Sequence, residues 1–375
     1  MIATIPPAQI GMPLAEVDTP ALLIDLDAFE HNLYQMQQDL SGRHVRLRPH
    51  AKTHKCPFIA RLQMDRGAVG VCCQKVGEAE AMIYGGILDV FITNEVVGTQ
   101  KLKRMAALAR QAHIAVCADD AVHVGAYEEA ARAGGVTLDV FIELDVGANR
   151  CGLSPGEEPL KLARQIQSSS HLRFAGLQAY HGSAQHRRTP SDRRDAIASA
   201  VGCVKETKVL LERDGLTCPT VSGAGTGTYL FEAASGVYDE LQAGSYIFMD
   251  VDYAKNLDEN GSPWGHFQHS LFVYTTVISR PAPDRAVVDA GHKAVPLDSG
   301  LPVVYESRDI EYVRASDEHG KLSLHNPDCR LIIGDKLKLI PGHCDPTVNL
   351  FDWFVGIRNN RVETLWPITA RGAMR

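Results

Sequence analysis

The chain has 375 residues, a size at which a single core stops growing and a large unit with a smaller one beside it is expected. Apolar residues make up 45% and charged residues 22%, and no stretch approaches the roughly 18 uninterrupted apolar residues of a membrane helix, so no membrane role is expected. The net charge of −7, with Lys and Arg dispersed, gives no electrostatic footprint for nucleic acid and fits a small-molecule enzyme better.

The opening MIATIPPAQIGMPL has neither a basic start nor a long apolar run and does not read as a signal peptide. Nine cysteines without CxxC pairs argue for reduced thiols and a cytoplasmic protein; Cys72 and Cys73, adjacent on a strand, should face opposite ways as structural thiols. Along the chain, short β-rich runs at 21–24, 45–49, 69–72, 90–93, 114–118, 138–144, 174–179, 221 and 240–243 alternate with helical stretches. The clearest helix covers 27–40, where Leu26, Phe29, Leu33, Met36 and Leu40 recur at three- and four-residue steps. This rhythm predicts parallel strands joined by right-handed crossovers, closing into a TIM-type β/α barrel over 19–265. After Asp250 the chain turns polar, and strands are expected at 267–278, 286–288, 302–305, 336–339, 354–357 and 362–366. They predict a second, mostly-β unit over 266–375, joined by the segment 1–18.

The segment 44–55, HVRLRPHAKTHK, is the most informative. At period two, Val45, Leu47 and Pro49 face one way and Arg46, Arg48, His50 and Lys52 the other, a polar file unexpected in a strand buried on both faces. Lys52 falls at the C-terminal end of such a strand, where barrels build their active sites. Among cations its pKa should be depressed, giving the neutral amine that Schiff-base chemistry needs; Lys55 is out of register with the file. Two glycine-rich segments, SGAGTGT at 222–228 and QAGSY at 242–246, follow late strands and suit a phosphate, which needs close backbone approach and hydroxyl donors. In PGHCDPT, His343 and Asp345 are two apart, so an extended backbone projects both to one side; the mixed N/O pair suits Mn²⁺, Mg²⁺ or Co²⁺ rather than structural zinc.

The motifs RPHAKTHKCP, GVCCQKVGEAE, ITNEVVG, VGANRCG, GLQAYHGSAQH, SGAGTGT, ELQAGSYIFMD, VVDAG, SDEHG, PGHCDPT and WPITARG, in this order over nearly the whole chain, resemble the D-threonine aldolase / D-serine dehydratase group of fold-type III pyridoxal-phosphate enzymes. The resemblance implies an alanine-racemase-like barrel with a C-terminal β domain, acting as a homodimer. It implies that Lys52 forms the Schiff base with pyridoxal 5'-phosphate and that Tyr180 meets the pyridine nitrogen, with Gln74 and Arg150 near the other polar edge. It further implies that Gly225, Thr226, Gly244 and Ser245 hold the phosphate, and that His343 and Asp345 hold the divalent metal. His186, which by its neighbours Gln185, Arg187 and Arg188 reads as a solvated histidine, would face the substrate hydroxyl as the base. His50, His54 and His181 are further candidates, and Asp317 and His319 candidate supports for the metal or for Lys52.

The expected reaction is aldol cleavage of D-threonine and related D-3-hydroxy amino acids to glycine and an aldehyde. A D-3-hydroxyaspartate aldolase is the alternative and would need a cation such as Arg187 or Arg188 for the second carboxylate. A D-serine or 3-hydroxyaspartate dehydratase is the other; the hard oxygen ligand of Asp345, where dehydratases of the group tend to carry cysteine, favours the aldolase. A non-catalytic carrier of the same barrel class would lack the β unit. A metal hydrolase would leave Lys52 and the glycine loops unexplained.

Overall fold

The computed structural model describes residues 5–326 and 329–375. Its first strand, β1 (Ala21–Asp25), runs into a helix over Leu26–Leu40 that is capped by the Asp25 carboxylate, which accepts from the Ala28 N–H at 3.1 Å. Leu26, Phe29, Leu33 and Met36 are buried along one face of that helix, as their spacing predicts. Eight strands follow: β2 (Arg46–Leu47), β3 (Val71–Cys73), β4 (Asp89–Glu95), β5 (His113–Ala118), β6 (Leu138–Glu143), β7 (Leu172–Ala179), β8 (Thr220–Gly223) and β9 (Glu240–Leu241). All pair in parallel, in the order β2-β9-β8-β7-β6-β5-β4-β3. The two ends of this order also meet, because Val69 and Cys72 donate to the carbonyls of Leu47 and Pro49 and His50 bridges to Cys72. The sheet thereby closes into a barrel, with helices in the crossovers.

Alternation along these strands sends Cys72, Phe91, Ala115, Cys117, Phe141 and Ala175 into one interior cluster, and Cys73 into the layer under the helices. The two adjacent cysteines therefore face opposite ways, and all nine thiols are free. Toward the N-terminal ends of the strands the interior is charged. Arg48 pairs with Glu240 at 2.9 Å and Asp89 at 2.5 Å, His113 lies between Asp89 and Asp139, and Arg173 grips Asp139 with two bonds. The polar file expected in the first barrel strand is thus satisfied at Arg48 by carboxylates from two other strands, which is how parallel strands carry charge inside.

The second sheet contains β10 (Leu271–Ala282), β11 (Arg285–Val288), β12 (Val303–Val304), β13 (Ile310–Ala315), β14 (Gly320–Leu324), β15 (Lys336–Ile340), β16 (Trp353–Arg358) and β17 (Arg361–Pro367). It runs β13-β14-β11-β10-β1-β16-β17, with β15 against β10 and β12. The run at 21–24, which the alternation assigns to the barrel, belongs here instead: Leu22 pairs with Val273 antiparallel and with Phe354 in parallel. A strand buried on both faces reads alike in either sheet, so periodicity could not place it. The hairpin of β13 and β14 was not among the expected strands. Gly11 and Leu14 donate to Val362 and Asn360, tying the N-terminal segment to this sheet, while residues 1–4 of that segment lie outside the described residues. No helix among the described residues is long and apolar enough to cross a membrane.

Candidate active site

One pocket at the C-terminal ends of the barrel strands is lined by Lys52, Gln74, Arg150, Tyr180, His186, Gly225, Thr226, Gly244, Ser245, His343 and Asp345. It gathers the eleven residues that the resemblance assigns to cofactor, metal and base, although they span 293 positions in the chain, from 52 to 345. His50 also lines it, whereas His54 is buried elsewhere and His181 packs against Gly147. Lys55 is held in a buried ion pair with Glu78, away from the pocket. Asp317 and His319 are exposed in the turn between β13 and β14 and do not reach the pocket of their own chain, because that hairpin lies at the edge of the second sheet.

Lys52 sits in a single 3-10 turn, Ala51–Thr53, that ends the first barrel strand, rather than on an extended strand. His50 caps this turn: its Nδ1 accepts from the Lys52 N–H at 3.3 Å, so its Nε2 carries the hydrogen shared with Thr93 (3.1 Å) and Gln74 (3.3 Å). Burial, then the nearby Lys52 charge, pushes the His50 pKa down to about 3, so the ring is neutral. The Lys52 ammonium behaves differently from expectation. Burial and Arg150 act to deprotonate it, but Asp345, 3.7 Å from Nζ, and Tyr180 outweigh them, and its pKa is raised rather than depressed. The sequence showed the neighbouring cations and not the carboxylate that arrives from the other unit.

His343 and Asp345 do not lie on an extended strand either. His343 precedes a short helix, Cys344–Val348, and Asp345 lies in its first turn; Cys344, between them, is buried. Asp250, fully buried at the end of the barrel, accepts from the Cys344 N–H at 3.0 Å, and Val251 donates to the Pro341 carbonyl at 3.1 Å. These bonds dock the PGHCDPT loop onto the barrel mouth. Asp298 holds His343 Nδ1 at 2.6 Å, leaving Nε2 for a ligand role. The Asp345 carboxyl is pushed up by burial, but Lys52 and His343 outweigh this and hold it below the usual carboxylate range, so it is an anion.

The two glycine loops converge on one side of the pocket. Thr226 Oγ1 accepts from the Tyr246 N–H at 2.9 Å, joining loop to loop, and Gln185 Oε1 accepts from Gly227 at 3.0 Å behind them. A Cβ at Gly244 would stand 2.8 Å from the His50 carbonyl and from Thr53 Oγ1, and one at Gly225 would meet Gln185 at 2.6 Å. Thr53 Oγ1 is buried, and its hydroxyl helps to hold the Asp345 carboxylate. Close backbone and small hydroxyls are what a phosphate group requires. Opposite, Arg150 lies 5.8 Å over the Tyr180 ring and 3.7 Å from Glu143. Arg188 is bound to Asp252 and Asn256, and Arg187 donates to the Asp192 carbonyl; neither lines the pocket.

The supporting carboxylates Asp250, Asp252 and Asp298 and the Thr53 hydroxyl were not singled out from the sequence. Asp250, closing the motif ELQAGSYIFMD, and Thr53, inside RPHAKTHKCP, carried a signal there. Glu95, Asp119 and Cys151, at the ends of β4, β5 and the loop after β6, also bring donor atoms within 4.8 Å of one another.

This arrangement, a β/α barrel with its site completed by a C-terminal β unit, defines a class that the comparisons with known proteins identify. Residues 24–252 match the alanine racemase N-terminal domain and 270–357 the putative serine dehydratase domain. The D-threonine aldolase of Arthrobacter sp is 47% identical over 100% of this chain and 98% of its own, and the 3-hydroxy-D-aspartate aldolase of Paracoccus denitrificans (strain Pd 1222) is 46% identical over 98% and 95%. The crystal structure of D-threonine aldolase from Filomicrobium marinum superposes with a TM-score of 0.96 at 48% identity, covering 99% of this chain and 100% of that one. The chain belongs to the alanine racemase N-terminal domain family and, within it, is a carbon–carbon lyase of the D-threonine aldolase type.

Proposed function

We propose that the protein is a pyridoxal-phosphate- and divalent-metal-dependent aldolase that cleaves D-threonine and related D-3-hydroxy amino acids to glycine and an aldehyde. The observation that carries this is the meeting of Lys52 Nζ with Asp345 at 3.7 Å: the amine-bearing turn and the His343/Asp345 pair come from different units and face one space. The Gly225/Thr226 and Gly244/Ser245 loops suit the cofactor's phosphate, Tyr180 the ring nitrogen, and Gln74 with Arg150 its other polar edge. When bound through Lys52, the cofactor supplies an electron sink for the Cα–Cβ bond pair. An ion such as Mn²⁺ on His343 and Asp345 supplies Lewis acidity at the 3-hydroxyl.

The residues of the chain divide the remaining work. His186 takes the hydroxyl proton, and Arg150 and Gln74 orient the pyridine edge. The glycine loops fix the phosphate. Homodimeric assembly follows the resemblance, and the nine free thiols support a cytoplasmic setting. D-3-hydroxyaspartate is the competing substrate, favoured by the similarity to the Paracoccus enzyme, though Arg187 and Arg188 are engaged elsewhere in this chain.

Product analysis tests the reading. D-threonine, D-allo-threonine, D-serine and D-3-hydroxyaspartate are incubated with the enzyme and Mn²⁺, then with EDTA. Glycine plus aldehyde, lost on chelation, is the expected result; pyruvate or oxaloacetate with ammonia would replace cleavage by dehydration. Lys52→Ala should lose both the cofactor's absorbance band and turnover, and His186→Gln should lose roughly 10²–10⁴-fold in kcat.

A further inference from the structure

His186 is an unusual base for a buried reaction, because its side chain is 48% exposed and its flanking residues are polar. Its backbone, however, is held tightly. Asn256 Nδ2 donates to the Gln185 carbonyl at 2.9 Å, and Arg193, buried and without a carboxylate partner in hydrogen-bond reach among the described residues, donates to the carbonyls of Arg187, Arg188 and Leu257 at 2.8 Å each. Leu257 N–H in turn donates to the Arg188 carbonyl at 2.8 Å. What remains free in such a segment is rotation of the imidazole.

Asp252 removes that freedom. It lies on the short helix Val251–Ala254, directly after Asp250, the residue that docks the His343 loop. Its Oδ2 is 2.5 Å from His186 Nδ1 and its Oδ1 is 2.5 Å from Arg188 Nη2; Arg188 Nη1 also donates to the Asp252 carbonyl at 2.7 Å. The Asp252 side chain is 13% exposed, so the carboxylate is shielded from water although the imidazole it holds is 48% exposed. Burial pushes its pKa up, but the bonds and charges of Arg188 and His186 outweigh burial and hold it below the usual carboxylate range. A carboxylate only accepts, so a neutral His186 must carry its single hydrogen on Nδ1. The lone pair then sits on Nε2, which forms no hydrogen bond among the described residues, on a ring that lines the pocket.

We propose that Asp252, itself anchored by Arg188, is the positioning residue of His186, fixing the tautomer in which Nε2 is the basic nitrogen that faces the substrate. This rests on the reading of His186 as the base given above. It also assigns Arg188 a place in the chain Arg188–Asp252–His186 rather than in substrate binding.

The test uses Asp252→Asn in the holoenzyme. An asparagine can offer its NH₂ to Nδ1, which must then accept, and the hydrogen moves to Nε2. With D-threonine and Mn²⁺, kcat should fall at least tenfold, on the order of 10²-fold, with KM changed by less than about threefold. Long-range ¹H–¹⁵N spectra of histidine-labelled enzyme should show His186, assigned by its absence in His186→Gln, as the Nδ1–H tautomer in the parent and Nε2–H in Asp252→Asn. The double variant should lose no more than His186→Gln alone. Wild-type kcat in Asp252→Asn, or an Nε2–H tautomer in the parent enzyme, would overturn the proposal; the second readout holds even if the variant does not fold. Full activity in His186→Gln would instead remove the base reading itself, a separate outcome.

Discussion

Glu143 closes β6 with its side chain 6% exposed, 3.7 Å from Arg150 and beside Glu95. Burial first, then Glu95, pushes its pKa from 4.5 up to about 8, against the pull of Arg150. The folded value lies above the unfolded one for an acid, so the protonated form is favoured by folding. Stability is therefore undiminished below pH 4.5 and falls as the pH rises toward 8. Glu143→Gln keeps the neutral shape at every pH. It should melt with the parent at pH 4.5 and above the parent at pH 8 by calorimetry; equal melting at both would show that the carboxyl ionises freely. Residues of this kind mark the limit of sequence reading. Lys52 and the glycine loops were visible because each is anomalous in its own segment, a lysine ending a buried strand and glycines after late strands. Asp298, Asp252 and Asp250 are ordinary carboxylates until the fold brings them to partners 45, 66 and 94 residues away.

At the scale of elements, the eight barrel strands follow the expected runs from 45 onward, and the error falls on β1. Its ALLI sequence has no polar face to orient it, and its partners β10 and β16 lie about 250 and 330 positions on, at Val273 and Phe354. Local pattern reports burial and not which sheet provides it. The barrel's charged rim was likewise only half legible: Arg48 stood out, but His113, the first residue of β5, reads as loop polarity. In the fold its ring is held by Asp139 at 2.8 Å and Asp89 at 3.0 Å, and bonds to those carboxylates, Asp139 first, raise its pKa from 6.5 to about 9. For a base raised on folding, the stabilisation is complete below about pH 6.5 and is lost as the pH passes 9. His113→Ala should therefore lower the urea midpoint at pH 6 and hardly at pH 10. The loss should be on the order of 1 kcal/mol, because the ring is 44% exposed and water screens the pair. A midpoint difference that does not depend on pH would mean the ring acts by packing alone.

For the whole molecule the important fact is that barrel and second sheet share a core. Phe29 of the Leu26–Leu40 helix meets Phe248 from the barrel's end at 6.4 Å and Trp366 of β17 at 5.7 Å, and Phe248 meets Phe354 of β16 at 5.5 Å. β1, inserted between β10 and β16, ties the chain's start to the same interface. The pocket needs this junction, since Lys52 stands on the barrel and Asp345 on a loop that Asp250 fastens across it. Phe354, fully buried, is the test position. Phe354→Ala should remove about 3–5 kcal/mol through lost contacts and a cavity. If the two units are one cooperative body, calorimetry will show a single transition moved to lower temperature, with near-UV signals of both units lost together. Two separated transitions would mean that the barrel stands alone and that the Lys52–Asp345 distance is held by the Asp250 bonds rather than by the shared aromatic core.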